Sequence, residues 1–211
     1  NMRAELLIRK ATLFSDRART ATYFQNNTFK ASKLQSPTVY LNQSIKTFMQ
    51  EESSYPKHPR MDVVLFSIAY NYAELKNVDQ AYTYYMRTVQ KHPDSPLVGD
   101  ARLAIAEILF DKRKFADCLS QLKEIVKADH PRLKNFALYK MAWTYYNMAD
   151  LDSGILSLEK VIDGVNAQGA QAARIELRKE ALNDLDLIFS EARKAADATA
   201  YFEAVAKTPD L

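Results

Sequence analysis

A similar pattern of small and large apolar residues occurs twice, and its spacing constrains the fold more than any other feature of the sequence. Residues 65–72 read LFSIAYNY, and residues 138–145 read LYKMAWTY, 73 positions further on (138 − 65). Residues that mark the same register recur along the chain at Ser44, Ala81, Cys118, Gly154 and Ala198. Residue patterns that recur about every 20–50 positions are typical of a solenoid of stacked helix pairs. The sequence therefore predicts an all-α fold, a right-handed α-solenoid of antiparallel helix pairs.

Proline and glycine are placed as expected for helices joined by short linkers. Pro93-Asp94-Ser95-Pro96 stops one helix because proline cannot sit inside a helix, and Ser95-Pro96 supplies a cap and a first-turn proline for the next. The chain contains only 4 glycines, which argues against Gly-rich phosphate loops and turn-rich β structure. We expect a very high helix content and no strand, with a loop inserted around Gly164 to Gln171.

The repeated positions fit a frame of about 34 residues in which small residues let two helices approach and large residues fill the gaps between pairs. In a repeat that starts at Asp62, the frame positions are held by Leu65, Ile68, Ala69, Tyr72, Ala81, Tyr85, Thr88 and Pro93. Repeats that start at Gly99 and Asn135 follow the same order, except that Arg102 replaces a large apolar residue and Asn166 replaces the final proline. This chain resembles the tetratricopeptide repeat family, which implies two helices, A and B, in each repeat.

The resemblance divides the chain into a leading segment and an array of repeats. Residues 1–36 are expected to form a long helix from Met2 to about Tyr23 and a loop, and this segment could cap the array. The tetratricopeptide array is expected over residues 37–211. Its parts are a half repeat at 37–60 and repeats at about 61–96, 97–133, 134–171 and 172–211.

Two linkers and one helix resemble a narrower group of bacterial proteins. The linkers Tyr55-Pro56-Lys57-His58-Pro59-Arg60 and His92-Pro93-Asp94-Ser95-Pro96 are similar to those of periplasmic tetratricopeptide proteins, such as the Tol-Pal coordinator. Residues 137–147 look like envelope proteins grouped with adventurous gliding motility. The resemblance implies an assembly subunit without a cofactor, in the periplasm or cell envelope of a Gram-negative bacterium. No signal segment is visible, and Asn1 before Met2 indicates a trimmed sequence, so native targeting stays open.

Composition excludes several other functions. The net charge is only +3, from 29 basic and 26 acidic residues, which is too balanced for a nucleic-acid-binding surface. No apolar run approaches the roughly 18 residues that a membrane span needs, so no direct membrane insertion is expected. The single cysteine, Cys118, falls at a small buried position of the frame and is expected to be a packed structural thiol.

The concave wall of such a solenoid is lined by A helices and is the surface these proteins use for binding. Positions 2, 5, 9, 12 and 13 of each repeat face this groove, and they are rich in aromatic residues, the usual anchors of protein interfaces. The candidate partner-binding residues are Phe66, Tyr70, Leu103, Glu107, Phe110, Tyr139, Trp143, Tyr146 and Asn147. Phe136, Glu180, Leu187 and Glu191 also fall at groove positions. Trp143 fits the core and the groove equally well.

The groove chemistry favours one class of partner over another. Some family members grip a C-terminal carboxylate with Lys and Asn at positions 5 and 9, and no repeat of this chain has that pair. An extended or helical protein segment that bears apolar and basic residues suits the aromatic and acidic wall better. The alternatives are a purely architectural or oligomerisation module and a peptidoglycan-associated adaptor. The oligomeric state stays open.

No catalytic or metal-binding arrangement is indicated, so we expect a non-catalytic protein with no cofactor. His58, His92 and His130 each follow a B helix, about one repeat apart, which is too far for one metal ion to bridge. No Ser-His-Asp or Cys-His combination has a spacing in the sequence that would support nucleophilic catalysis. Asp184 and Asp186 lie two residues apart on a helix and do not share a face.

Overall fold

A computed structural model describes residues 2–26, 34–167, 172–193 and 198–205. Within these ranges the chain forms ten α-helices and no strand, which confirms the predicted all-α fold. The helices are α1 (Met2–Asn26), α2 (Pro37–Ser54), α3 (Met61–Glu74), α4 (Val78–Lys91), α5 (Val98–Asp111), α6 (Phe115–Lys127), α7 (Lys134–Asn147), α8 (Leu151–Ala167), α9 (Ala172–Ala192) and α10 (Ala198–Val205).

The chain divides into two compact units, Asn1–Ile108 and Leu109–Leu211, and the division falls inside α5. In the N-terminal unit α1 packs on α2, α2 on α3, and α3 on α4. In the C-terminal unit α6 packs on α7, α7 on α8, and α8 on α9. Within each unit these helices therefore pack on their neighbours in sequence, as expected of a repeat protein.

Three turns between A and B helices have the same backbone geometry. Lys76, Arg113 and Ala149 have φ angles of 60°, 56° and 60°, and each is position 15 of its predicted repeat. After each of them an N–H donates to the carbonyl five residues earlier, as Asp150 does to Tyr145 at 3.0 Å. This left-handed C-terminal turn satisfies carbonyls that the end of the A helix leaves without a partner. The repeat is therefore present in the backbone geometry of the turns as well as in the pattern of side chains.

The start of α2 follows the proline signal in the sequence, and the linker before α5 is held by Ser95. Pro37 is the first residue of α2, where its missing N–H costs no hydrogen bond. Before α5, the Leu97 N–H donates to Ser95 Oγ at 3.1 Å, and Ser95 Oγ donates to Asp62 Oδ2 at 2.6 Å. Ser95 therefore ties the linker to the start of α3. The predicted cap at Ser95 and first-turn proline at Pro96 are wrong, because α5 begins only at Val98 and both residues lie in the preceding turn.

A buried polar network fixes α1 against the next two helices. Ser15 donates to Asn71 Oδ1 at 3.1 Å, Asn71 Nδ2 donates to Ser44 Oγ at 2.9 Å, and Ser44 donates to the Ala11 carbonyl at 2.8 Å. All three polar side chains are buried. Because buried polar groups are costly unless paired, this network favours one register of α1, α2 and α3. The leading helix thus packs as the partner of α2, the helix of the predicted half repeat.

Two glycines allow close packing in the C-terminal unit. A Cβ on Gly154 would lie 3.4 Å from the Ala142 carbonyl oxygen, where α8 crosses α7. A Cβ on Gly164 would lie 2.5 Å from Asn135 Oδ1. The predicted loop around Gly164 to Gln171 is wrong for residues 164–167, which belong to α8, because Gly164 makes room for Asn135 within a continuing helix. Residues 168–171 lie outside the described residues.

Candidate functional site

The aromatic residues of α7 are joined to α9 by hydrogen bonds. Tyr139 Oη donates to Asp184 Oδ2 at 2.6 Å, and Trp143 Nε1 donates to the same oxygen at 3.0 Å. One turn further along α7, Tyr146 Oη donates to Glu191 Oε1 at 2.9 Å. Asp184 and Glu191 are seven residues apart and share one face of α9. The two A helices therefore lie side by side, with rings on one and carboxylates on the other.

These contacts change the acidity of the tyrosines. Burial, and then the hydrogen bond to Asp184, raise the pKa of Tyr139 to about 12. The hydrogen bond to Glu191 raises the pKa of Tyr146. Both phenols therefore keep their protons over the physiological pH range and act as donors to the carboxylates. The ring orientations are set by these bonds and by an edge contact between Trp143 and Tyr146, with centroids 5.5 Å apart.

An exposed apolar and acidic surface remains around the bonded pairs. Phe136 and Leu187 are 48% and 44% exposed, and Tyr139, Trp143 and Tyr146 are each only partly buried. Glu180 is also exposed, one turn before Asp184. We call this the α7/α9 surface, and it consists of Phe136, Tyr139, Trp143, Tyr146, Glu180, Asp184, Leu187 and Glu191. Its residues fall at spacings of three and four on each helix, so each set forms one stripe.

Asp184 is the residue of this surface that sequence reasoning missed. The sequence marks Asp184 only as one of a pair with Asp186, and Asp186 is exposed on a different face. A signal is present in the sequence, because Asp184 lies between the groove positions Glu180 and Leu187 of the last A helix. The repeat frame assigns no role to that position, so the contact to Tyr139 and Trp143 emerges only from packing.

In the N-terminal unit, Phe66 and Tyr70 lie beside α1, whereas Leu103 and Glu107 lie on α5. Phe66 is half-buried, and its ring makes an edge contact with Tyr85 at a centroid distance of 5.4 Å. Tyr70 is 38% exposed, and the Arg19 guanidinium lies 5.8 Å from its ring centroid. Both rings line an open cleft of about 280 Å³ between α1 and α3. Leu103 is half-buried and Glu107 is exposed on α5.

Two further candidate residues, Phe110 and Asn147, make contacts with residues close to them in sequence. Phe110 is half-buried and makes an edge contact with Phe115 at 5.6 Å, across the α5–α6 turn. Asn147 is exposed, but its Nδ2 donates to the Trp143 carbonyl at 2.8 Å and so caps the last turn of α7. Within the C-terminal unit, the described contacts thus join Tyr139, Trp143 and Tyr146 to the carboxylates of α9, whereas Phe110 packs at a turn.

Comparison with known families and structures agrees with the repeat geometry. A family model described as tetratricopeptide repeat matches residues 63–95 and 136–163, which cover most of the α3–α4 and α7–α8 hairpins. At these two hairpins the chain is similar to tetratricopeptide repeats. No curated protein matches it.

Several solved structures share the fold at low sequence identity. A double mutant of MamA RS-1 is 14% identical, covers 94% of each chain and has a TM-score of 0.61. A putative kinesin light chain from Podosopora anserina with nearly identical TPR-like repeats is 13% identical, with 93% of this chain and 94% of that chain covered and a TM-score of 0.62. BtubC from P. vanneervenii is 13% identical, with 97% and 90% covered and a TM-score of 0.61. These similarities confirm the predicted tetratricopeptide-type fold.

Neither a group of metal-ligating side chains nor a membrane-spanning helix occurs among the residues that the structure describes. Among residues 2–26, 34–167, 172–193 and 198–205, no three His, Cys, Asp or Glu side chains are grouped so that they could hold a metal ion. In the same ranges, every helix is too short or too polar to cross a bilayer. Cys118 is buried, with its Sγ 3.6 Å from Thr144 Oγ1, consistent with a packed thiol.

Proposed function

We propose that this chain is a non-catalytic scaffold that binds a protein segment on the groove face of its A helices. The observation that carries the proposal is the α7/α9 surface, where rings are held in place by carboxylates and remain partly exposed. Tetratricopeptide stacks use this face for protein partners. Rings fixed before binding lose little rotamer freedom on association, which lowers the entropic cost of complex formation.

The partner is a helical or extended segment with apolar and basic residues. Phe136 and Leu187 offer apolar contact area, and the exposed carboxylates of Glu180 and Glu191 favour lysine or arginine. Within the N-terminal unit, Phe66 and Tyr70 would offer a contact of the same kind, together with Leu103 and Glu107. Phe110 and Asn147 would lie at the margins of the face. The proposed setting is an assembly in a bacterial envelope, supported by the resemblance of the two proline-containing linkers.

The surface can be tested with a defined probe. We would titrate the protein with a synthetic amphipathic helix that has leucine on its apolar face and lysine on its polar face, and with the same peptide carrying glutamate. Trp143 is the only tryptophan of the chain, so its emission reports directly on the α7/α9 surface. The lysine peptide should bind and the glutamate peptide should not, with affinity falling as salt rises.

A matched pair of variants tests the location. Phe136→Asp should weaken binding of the lysine peptide by about tenfold or more, since truncated interface anchors dominate binding energy. Leu156 on α8 is 50% exposed, close to the 48% of Phe136, and Leu156→Asp should leave binding unchanged. Equal binding by both variants, with helix content intact in circular dichroism, would argue against the α7/α9 surface.

A further inference from the structure

The first helix has apolar residues on two opposite faces. Its buried face is formed by Ala4, Ile8, Ala11, Ser15 and Ala18. On the other side, Met2, Leu6 and Leu13 are 82%, 57% and 55% exposed. These three residues follow spacings of four and seven, so they form one stripe along the helix. Isolated exposed apolar residues are ordinary, but a row of three on one face opposite the core indicates a surface that another molecule covers.

The charges beside this stripe are basic. Arg9, Lys10 and Arg17 are exposed and lie on either side of Leu6 and Leu13 in the helical projection. The acidic residues of the helix are already engaged. Glu5 accepts a hydrogen bond from Arg60 at 3.2 Å and lies 3.5 Å from His58, and Asp16 accepts one from Arg19 at 3.3 Å. The outward stripe of α1 is therefore apolar with a basic margin.

The charge pattern selects among possible occupants. Pairing of two α1 stripes would bring arginines and lysines of both copies together, which is unfavourable. A covering surface needs exposed apolar side chains flanked by carboxylates. The chain has such a surface in Phe136 and Leu187 with Glu180 and Glu191. At 1.5 Å per residue, the stripe from Met2 to Leu13 and the row from Phe136 to Tyr146 are both about 15–17 Å long.

We propose that α1 of one copy docks on the α7/α9 surface of a second copy. This inference rests on the proposed function, because it names α1 as the basic and apolar segment that the surface binds. The leucines of α1 would contact Phe136 and Leu187, and Arg9 and Arg17 would face Glu180 and Glu191. The interface is heterologous, so each added copy leaves one α1 stripe and one α7/α9 surface free for further association.

Sedimentation velocity of the whole chain tests the proposal. The average mass should rise with protein concentration from micromolar to several hundred micromolar, and should fall towards that of the monomer as salt is raised. The paired substitution Leu6→Asp and Leu13→Asp should weaken association about tenfold or more, as should Phe136→Asp with Leu187→Asp. All four residues are exposed, so the fold should survive, with circular dichroism as the check. Leu156→Asp is the matched control and should associate like the wild type.

Mixing the two variants gives the decisive result. A heterologous contact predicts that the α1 variant and the α7/α9 variant, each monomeric alone, form a one-to-one dimer, because one intact α1 meets one intact surface. Charge reversal by Arg9→Glu with Arg17→Glu should abolish association, and adding Glu180→Lys with Glu191→Lys should restore part of it.

Three outcomes would overturn the proposal. They are a wild-type chain that stays monomeric at several hundred micromolar, variants that stay monomeric when mixed, and association lost in the α1 variant but kept in the α7/α9 variant. If the wild type is monomeric and still binds the lysine peptide, only self-association fails and the proposed function stands. If it binds neither peptide nor a second copy, both fail.

Discussion

Ala149 lies in a left-handed backbone conformation that glycine adopts more easily. Its φ is 60°, and its N–H donates to the Tyr146 carbonyl at 2.9 Å in the α7–α8 turn. Replacing Ala149 with glycine removes the steric cost of Cβ and should raise the free energy of unfolding by about 0.5–1 kcal/mol. Urea denaturation measures the change. Ala104→Gly, inside α5, is the control and should cost about 1 kcal/mol. A loss of stability in Ala149→Gly would contradict this account of the turn.

Glu51 is a buried carboxylate with few favourable contacts to offset the cost of its desolvation. Its side chain is fully buried, and among the described residues neither carboxylate oxygen has a hydrogen-bond partner. His58 Nδ1 lies 4.0 Å from one oxygen. Burial raises the pKa of Glu51 above its usual 4.5, and the charge of His58 opposes that rise. The native state therefore favours the protonated acid. The stability that this protonated carboxyl contributes is present below about pH 4.5 and is lost as the pH rises through the raised pKa.

Replacement of Glu51 by glutamine should therefore stabilise the protein at neutral pH. At pH 7 the free energy of unfolding of Glu51→Gln should exceed that of the wild type by about 1–2 kcal/mol, since a buried charge without a hydrogen bond is removed. The difference should shrink as the pH is lowered towards 4.5. Urea denaturation across this range provides the measurement, and Glu124→Gln at an exposed position should show neither effect. A destabilised Glu51→Gln at pH 7 would mean that attraction to His58 outweighs desolvation.

At the scale of helices, Asp184 is the main polar tie between α7 and α9. Asp184→Ala leaves Tyr139 Oη and Trp143 Nε1 without their acceptor and should cost about 1–3 kcal/mol. The pKa of Tyr139 should also fall from about 12 towards its ordinary value. Chemical denaturation followed by Trp143 emission measures the first effect, and alkaline absorbance titration measures the second. Asp186→Ala, two residues away and exposed, should change stability by less than about 0.5 kcal/mol. Equal effects of the two substitutions would show that the hydrogen bonds to Asp184 do not stabilise the contact between α7 and α9.

At the scale of the whole molecule, a repeat protein should lose stability locally. Leu158 on α8 is fully buried in the C-terminal unit, and Leu158→Ala should cost about 2–5 kcal/mol there. Because each helix pair contacts only its neighbours, amide hydrogen exchange should accelerate in α7, α8 and α9 and stay close to wild type in α2 and α3. Exposed Leu156→Ala is the control. Uniform acceleration across both units would show that the chain unfolds as one cooperative body.

Helix order and repeat register could be predicted from the sequence because they depend on local spacing. The residues at close crossings, such as Ala142 and Gly154, fall at corresponding positions of the repeats, and proline is excluded from helix interiors. The loop expected from Gly164 onwards failed in part, because glycine is locally a helix breaker. Its real role is steric, and the contact with Asn135 lies on another helix.

The sequence by itself determined the repeated helical hairpins, the helix ends and the wealth of rings at groove positions, since each follows from periodicity along one chain segment. Only the tertiary structure decided that Asp184 holds Tyr139 and Trp143, and that α1 keeps Leu6 and Leu13 in solvent while burying its other face. Partner choice between helices depends on how neighbouring elements pack. Residues 45 positions apart, such as Tyr139 and Asp184, carry no local signal of their contact.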